Sequence, residues 1–167
     1  MDHDTATRLA AEVLGSLADR GQTLATAESL TGGLLAARLT DVPGASRSFV
    51  GAVVSYATEV KESLLGVPAE VVETDGVVSR ACAVAMAAGV RERLGADWAL
   101  ATTGVAGPDT QEGHPAGTVW VAVSGPGTVE ARELHLTGSR ADIREATCRE
   151  VLSVVRGILT REEPGLG

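Results

Sequence analysis

Three polar side chains have the types and the spacing of a hydrolytic centre: Ser29, Tyr56 and Lys61. A serine hydroxyl becomes a nucleophile when a base removes its proton, and a lysine serves as that base when burial or neighbouring positive potential lowers its pKa. Tyr56, the only tyrosine, precedes Lys61 by five residues, so its hydroxyl could relay a proton or orient the amine. The three residues together are compatible with a serine hydrolase, because a serine amidohydrolase can use such a lysine as its base.

Each of the three residues also has a simpler interpretation. A serine directly before a helix is most often an N-cap. A lysine is most often a solvated surface charge, and a tyrosine at a strand end commonly keeps its hydroxyl in water. The histidines offer no competing centre, because His3, His114 and His135 lack ligand spacing to Cys, Asp or Glu. We therefore expect chemistry that needs neither a metal nor a cofactor.

Two glycine-containing segments have the composition to hold an anionic part of a substrate. Residues 23–33, TLATAESLTGG, are predicted as a strand that turns at its acidic residue and serine into a helix near Thr31. Such a turn collects unpaired N–H groups, which suit a phosphate or an oxyanion. Residues 104–108, GVAGP, follow another apolar strand and let the backbone approach a ligand closely. Arg140 and Arg144, four apart on one helix, could hold a phosphate or simply solvate the helix.

Hydrophobic periodicity and turn signals predict the elements that position these residues. Strands are expected at 23–27, 48–56, 97–103, 117–124 and 129–136, the last two as an antiparallel hairpin. Helices are expected at 5–18, 30–39, 58–65, 70–72, 79–95 and 140–159, with Thr58-Glu59 as the cap of the third. This order predicts one domain over residues 1–167, an α/β fold with a three-layer α/β/α sandwich around a mixed sheet, and a frayed tail at about 161–167.

In open sheets of this kind, ligands gather where strand ends and loops converge. Three segments lie just past the end of an apolar strand: Glu28-Ser29, residues 56–61 and residues 103–108. We expect these segments to meet at one edge of the sheet.

The composition limits the classes of partner. Apolar residues make up 44% of the 167 residues and aromatic residues only 2%, which favours a closely packed core of small side chains. The formal net charge of −8 argues against a nucleic-acid partner. No apolar run approaches a membrane span and the N-terminus lacks a signal-peptide pattern. We therefore expect no membrane partner, a cytoplasmic location, and buried thiols at Cys82 and Cys148.

Five sequence blocks span nearly the whole chain. They are TAESLTGG at 26–33, SYATEVK at 55–61, GVVS at 76–79, TTGVAGP at 102–108 and GTVWVAV at 117–123. Together and in this order, they resemble the C-terminal domain of the competence-damage-inducible CinA family. The resemblance implies an amidase that converts nicotinamide mononucleotide to nicotinate mononucleotide and ammonia, in pyridine-nucleotide recycling. It also implies a homodimer or higher homo-oligomer, and we expect the N-terminal nucleotide-hydrolysing module of longer members to be absent.

The resemblance further implies roles for individual residues. Ser29 would be the nucleophile, Lys61 its base and later the acid for departing ammonia, and Tyr56 a helper of that proton transfer. Arg140 or Arg144 would face the phosphate. The small-molecule nucleotide would bind in a pocket formed by Glu28, Thr31, Gly32, Gly33, Thr103, Gly104, Ala106 and Gly107.

Three residues depart from the usual family pattern. Thr58 stands in place of an asparagine, His114 in place of a lysine and Ser139 in place of an aspartate. We expect all three at the edges of the pocket rather than at the serine–lysine pair. They motivate a second hypothesis, a domain that binds or senses the nucleotide without turning it over. A third hypothesis is a serine hydrolase with a different small amide substrate.

Overall fold

The computed structural model describes residues 2–163, which form a five-stranded sheet flanked by helices. The strands are β1 (Leu24–Glu28), β2 (Phe49–Val54), β3 (Trp98–Gly104), β4 (Thr118–Gly125) and β5 (Thr128–His135). The helices are α1 (Asp2–Arg20), α2 (Leu34–Thr40), α3 (Thr58–Leu65), α4 (Ala69–Thr74), α5 (Arg80–Leu94) and α6 (Arg140–Glu162), with a short 3₁₀ helix at Ala45–Arg47. The strand order is β2-β1-β3-β4-β5; the first three strands are parallel and the last two continue antiparallel.

Helices cover both faces of this sheet. Helices α1, α2 and α6 pack on one face, and α5 packs on the other with α3 and α4 beside it. Large side chains such as Leu24 and Leu100 point to the first face, whereas alanines such as Ala25 and Ala99 point to the second. Because strand side chains alternate between faces, the alanines form a flat surface on which the alanine-rich α5 lies closely. The predicted three-layer α/β/α sandwich around a mixed sheet is confirmed.

The carboxyl ends of β1, β2 and β3 lie at one edge, because the three strands are parallel. Hydrogen bonds join the segments that leave this edge. The N–H of Ser55 donates to the Glu28 carbonyl oxygen at 2.8 Å, and the N–H of Ser29 donates to the Thr102 carbonyl oxygen at 3.0 Å. The expected convergence of the three strand ends is therefore observed.

Two differences from the predicted helix boundaries bear on the site and on the predicted tail. Helix α2 begins at Leu34 and not near residue 30, because Gly32 and Gly33 have φ values of 56° and 103°, which a right-handed helix excludes. Residues 29–33 are a turn instead. Helix α6 continues to Glu162, where Arg20 pairs with the Glu162 carboxylate at 3.2 Å, so residues 161 and 162 are helical and not part of a frayed tail. Residues 164–167 of the predicted tail lie outside the described residues.

Both cysteines are free and buried, as the sequence predicts. Burial raises the pKa of Cys82 to about 11 and raises that of Cys148 as well. Both groups are therefore neutral thiols near pH 7. Within residues 2–163, no helix combines the length and the apolar character needed to cross a membrane.

Candidate active site

Ser29 and Lys61 lie side by side at the carboxyl edge of the sheet. Ser29 directly follows β1, and Lys61 lies in the first turn of α3. The distance from Lys61 Nζ to Ser29 Oγ is 2.9 Å. Lys61 is 2% exposed and Ser29 is 8% exposed, so the pair is shielded from bulk water.

The surroundings of the Lys61 amine can accommodate both its ammonium form and its neutral form. Besides Ser29 Oγ, Nζ has two neighbours, the carbonyl oxygens of Ser55 at 2.8 Å and of Tyr56 at 3.2 Å. A carbonyl oxygen can only accept a hydrogen bond, so the two carbonyls take up two amine hydrogens. A neutral amine then presents its lone pair to the Ser29 hydroxyl. This is the arrangement that a general base needs.

Burial is also the main influence on the pKa of Lys61, which it lowers from the ordinary value of 10.5, because desolvation disfavours the ammonium form. Smaller effects of Cys82, Glu112 and Glu59 raise it. The Cys82 thiol is uncharged near pH 7, since its own pKa is about 11, so its effect disappears there. The positive end of the α3 dipole also disfavours the ammonium form of Lys61. The N-cap residue of α3 is Ala57, so the prediction that Thr58 caps this helix is wrong.

The Tyr56 hydroxyl does not contact Lys61 by a hydrogen bond. It accepts a hydrogen bond from Arg140 Nη2 at 2.9 Å, and its ring is on the surface, with the residue 58% exposed. The contact of Tyr56 with Lys61 is made by the backbone carbonyl instead. The expected contact of the Tyr56 hydroxyl with the amine is therefore not present, and only the main chain of Tyr56 reaches Lys61.

Two polar residues predicted to contact the substrate instead form hydrogen bonds within the protein. The carboxylate of Glu28, which is fully buried, accepts hydrogen bonds from the N–H groups at the start of α2, those of Gly33, Leu35 and Ala36, at 2.9–3.1 Å. Thr103 Oγ1 donates to the Val77 carbonyl oxygen at 2.7 Å. Both side chains therefore position the turn and the loop rather than a ligand.

The turn after Ser29 is held by a threonine pair. Thr31, also predicted to contact the substrate, is fully buried, and its Oγ1 lies 2.8 Å from Thr102 Oγ1. Gly32 closes the turn by donating its N–H to the Ser29 carbonyl oxygen at 3.0 Å. Thr102 was not among the predicted site residues, although it is the first residue of the block TTGVAGP at 102–108.

A cleft of about 270 Å³ opens next to Ser29. Its predicted lining residues are Ser29, Tyr56, Gly104, Ala106, Gly107 and Arg140. Leu30 and Val105, which lie in the two predicted anion-holding segments, line it as well, and so do Asp109, Thr110 and Gln111, which the sequence did not point to. Within the described residues, the N–H groups of Leu30, Ala106 and Gly107 have no hydrogen-bond acceptor. Free N–H groups beside a nucleophile, including that of the following residue, are typical of an oxyanion hole.

The two arginines at the start of α6 form hydrogen bonds with different parts of the site. Arg140 lines the cleft and donates to the Gly107 carbonyl oxygen at 2.5 Å as well as to Tyr56. Arg144 donates to the carbonyl oxygens of Leu30 and Thr31, at 3.0 and 2.8 Å. Arg140 therefore borders the cleft beside Ser29, while Arg144 holds the turn that carries Ser29.

The three departures from the family pattern lie apart from the dyad. Thr58 is the first residue of α3, and His114 forms backbone hydrogen bonds with Gln111. Ser139 caps α6 and exchanges hydrogen bonds with Asp142, which lowers the pKa of that carboxyl. In the part of the chain that is described, no hydrogen bond links any of the three to Ser29 or Lys61.

Comparison with known sequences gives a consistent result. The family model of the CinA C-terminal domain matches residues 6–159. A CinA-like protein of Frankia casuarinae is 55% identical over 147 residues, which are 88% of this chain and 34% of that protein. A putative competence-damage inducible protein of Desulforamulus reducens is 50% identical over 149 residues, 89% of this chain and 36% of that protein. The chain thus spans about a third of the length of these relatives.

Solved structures show the same fold. A CinA superfamily protein from Klebsiella pneumoniae superimposes with a TM-score of 0.90 at 35% identity, covering 93% of this chain and 98% of that one. A competence/damage inducible protein from Agrobacterium tumefaciens gives a TM-score of 0.89 at 34% identity, covering 93% and 96% of the two chains.

Proposed function

Because the chain belongs to the CinA C-terminal domain family, we propose that it is an amidohydrolase that converts nicotinamide mononucleotide to nicotinate mononucleotide and ammonia. The observation that carries the proposal is the 2.9 Å contact between Lys61 Nζ and Ser29 Oγ, in a buried place beside a cleft. Two residues that line the cleft suit the two ends of that substrate. Ser29 faces the carboxamide, and Arg140 provides a cation for the phosphate.

The chemistry follows from the surroundings of the dyad. Ser29 Oγ attacks the carboxamide carbon while its proton moves to Lys61 Nζ, and the free N–H groups of Leu30, Ala106 and Gly107 receive the developing oxyanion. The Lys61 ammonium then protonates the amide nitrogen, which leaves as ammonia, and an ester to Ser29 remains. Water attacks this ester with Lys61 again as the base, which releases nicotinate mononucleotide and restores the serine.

Two contacts support the charge changes in this cycle. When Lys61 is protonated, the carbonyl oxygens of Ser55 and Tyr56 stabilise the ammonium. When a phosphate binds to Arg140, it competes with the Tyr56 hydroxyl for the guanidinium. The released hydroxyl can then turn toward the reacting groups, which is how Tyr56 would assist proton transfer.

The test is ammonia release from nicotinamide mononucleotide by the purified protein, measured with a chelator present and with chromatography of the acid product. We expect turnover by the wild type, and none by Ser29→Ala. Ser63→Ala, which changes an exposed serine on the same helix as Lys61, is the matched control and should be fully active. Tight nucleotide binding by calorimetry without ammonia release would instead indicate a sensor domain, and turnover confined to another amide would change the substrate.

A further inference from the structure

Glu112 fastens the loop on one side of the cleft to the segment that precedes α5. Its Oε2 accepts a hydrogen bond from the N–H of Val77, and its Oε1 accepts one from the N–H of Val78, both at 3.0 Å. Two successive N–H groups directed at one anion form a nest. Here a carboxylate of the same chain occupies the nest.

The local backbone is shaped for this contact. A Cβ atom on Gly76 would lie 2.9 Å from both carboxylate oxygens, so a side chain at that position would displace Glu112. Glu112 itself has a φ of 52° and is the one residue other than glycine with a positive φ in residues 2–163. Paired backbone hydrogen bonds between Gln111 and His114, at 2.8 and 3.1 Å, close the tight turn that carries it.

No other hydrogen bond among the described residues fastens the middle of this loop. Among the described residues, Glu112 forms the only hydrogen bonds between the middle of the loop, residues 109–114, and another part of the chain. The segment to which it is fastened is itself tied to the sheet, because Thr103 Oγ1 donates to the Val77 carbonyl oxygen. The position of the loop therefore depends on this one carboxylate.

The residues before Glu112 are the ones that reach the cleft. Asp109, Thr110 and Gln111 line it, and the described part of the chain offers no hydrogen-bond partner to their side chains. A carboxylate, a hydroxyl and an amide with free hydrogen-bonding capacity on one wall suit a ligand that carries several hydroxyl groups.

We propose that Glu112 is a positioning residue that holds Asp109, Thr110 and Gln111 as the wall of the cleft that binds the ribose hydroxyl groups of the substrate. This inference rests on the proposed amidase function. Glu112 also acts on the base electrostatically. Its negative charge raises the pKa of Lys61, as that of Glu59 does, against the larger effect of burial.

The experiment compares Glu112→Gln with Glu73→Gln, which neutralises an exposed glutamate on α4. In Glu112→Gln we expect the KM for nicotinamide mononucleotide to rise about tenfold while kcat changes less than about threefold. We also expect the rise of kcat/KM with pH to move to lower pH, because removal of the negative charge stabilises neutral Lys61. A loss of burial around Lys61 would instead raise its pKa and move the profile to higher pH. Glu73→Gln should match the wild type.

Amide hydrogen exchange, followed by NMR without substrate, tests the contact independently of activity. The amides of Val77 and Val78 should exchange faster in Glu112→Gln than in the wild type. Unchanged exchange would overturn the inference even if the wild type proved inactive, and fast exchange with an unchanged KM would overturn it while the amidase function stands. Asp109→Asn covers the case in which Glu112→Gln does not fold. It should raise the KM and leave the exchange of both amides unchanged, and an unchanged KM would contradict the ribose wall.

Discussion

Lys61 Nζ lies 2.9 Å from Ser29 Oγ across a separation of 32 residues. The contact exists because Ser29 directly follows β1 and α3 follows β2, the parallel neighbour of β1. Neither element alone would bring a lysine to a serine. The pair is the basis of the first two predictions below.

Replacing the proposed base should remove activity. Lys61→Met retains the length and the apolar stem of the side chain but offers no lone pair to Ser29, so we expect kcat to fall by about 10³-fold. Lys61→Arg tests whether a positive charge alone is enough, because a guanidinium remains protonated in proteins and cannot act as a base. This variant should be as inactive as Lys61→Met. Ammonia release at saturating nucleotide is the measurement. Normal turnover by Lys61→Arg would contradict the role of Lys61 as a base.

The pH dependence of the rate should show a lysine with a lowered pKa. The neutral amine is the active form, so kcat/KM should rise with pH and level off above the pKa of Lys61, which lies below 10.5. A pH–rate profile of the wild type measures this. A plateau reached only above pH 10.5 would mean that burial does not lower the pKa of the amine.

The stability of the protein should depend on pH for the same reason. Between the folded-state pKa of Lys61 and 10.5, the unfolded chain binds a proton that the folded protein does not. The free energy of unfolding should therefore rise with pH across this window, and the penalty is fully present below it. Urea denaturation at several pH values should show this rise in the wild type and a smaller one in Lys61→Met. Parallel curves would argue against the shift.

The two arginines of α6 should affect different steps. Arg140→Met removes the cation in the cleft, so we expect the KM for nicotinamide mononucleotide to rise by roughly 10–100-fold. The KM for nicotinamide riboside, which has no phosphate, should change little in this variant. Arg144→Met should instead lower kcat for both substrates and lower the urea midpoint, because it frees the carbonyl oxygens of Leu30 and Thr31. Equal effects of Arg140→Met on both substrates would remove Arg140 from the phosphate site.

Replacing Glu28 should lower the stability of the protein rather than weaken the binding of substrate. Its buried carboxylate accepts three N–H groups at the start of α2, so Glu28→Gln replaces one acceptor by an amide donor that meets N–H groups. We expect the free energy of unfolding to fall by about 1.5–3 kcal/mol. Urea denaturation is the measurement, with the exposed Glu62→Gln as the control. A stable Glu28→Gln with a raised KM would show that Glu28 contacts the substrate after all.

The arrangement of the sheet could be predicted because it depends on local patterns. Short apolar runs that end in glycine or polar residues identify strands, and helices between them imply parallel neighbours. Parallel strands place their carboxyl ends together, which is why Ser29 and Lys61 could be expected at one edge. The start of α2 was predicted too early because the glycine doublet was taken as helical, whereas both glycines adopt positive φ.

The side-chain roles within the cleft could not be predicted in the same way. Glu28 and Thr103 have the chemistry of ligand-binding residues, and only packing shows that their oxygens are already used. Asp109 and Gln111 occur in a polar loop that looks like any exposed turn, and their position depends on the hydrogen bonds of Glu112. No local pattern records which N–H group a carboxylate will find.

By itself, the sequence determined the family, the order of strands and helices and the residues able to act as nucleophile, base and cation, since these follow from residue type, periodicity and motif order. Only the tertiary structure decided which atoms meet. It encloses the amine of Lys61 between two carbonyl oxygens and the Ser29 hydroxyl, and it assigns Arg140 to the cleft and Arg144 to the turn. The physical reason is that hydrogen bonding and desolvation depend on distances of a few ångströms between residues far apart in the chain.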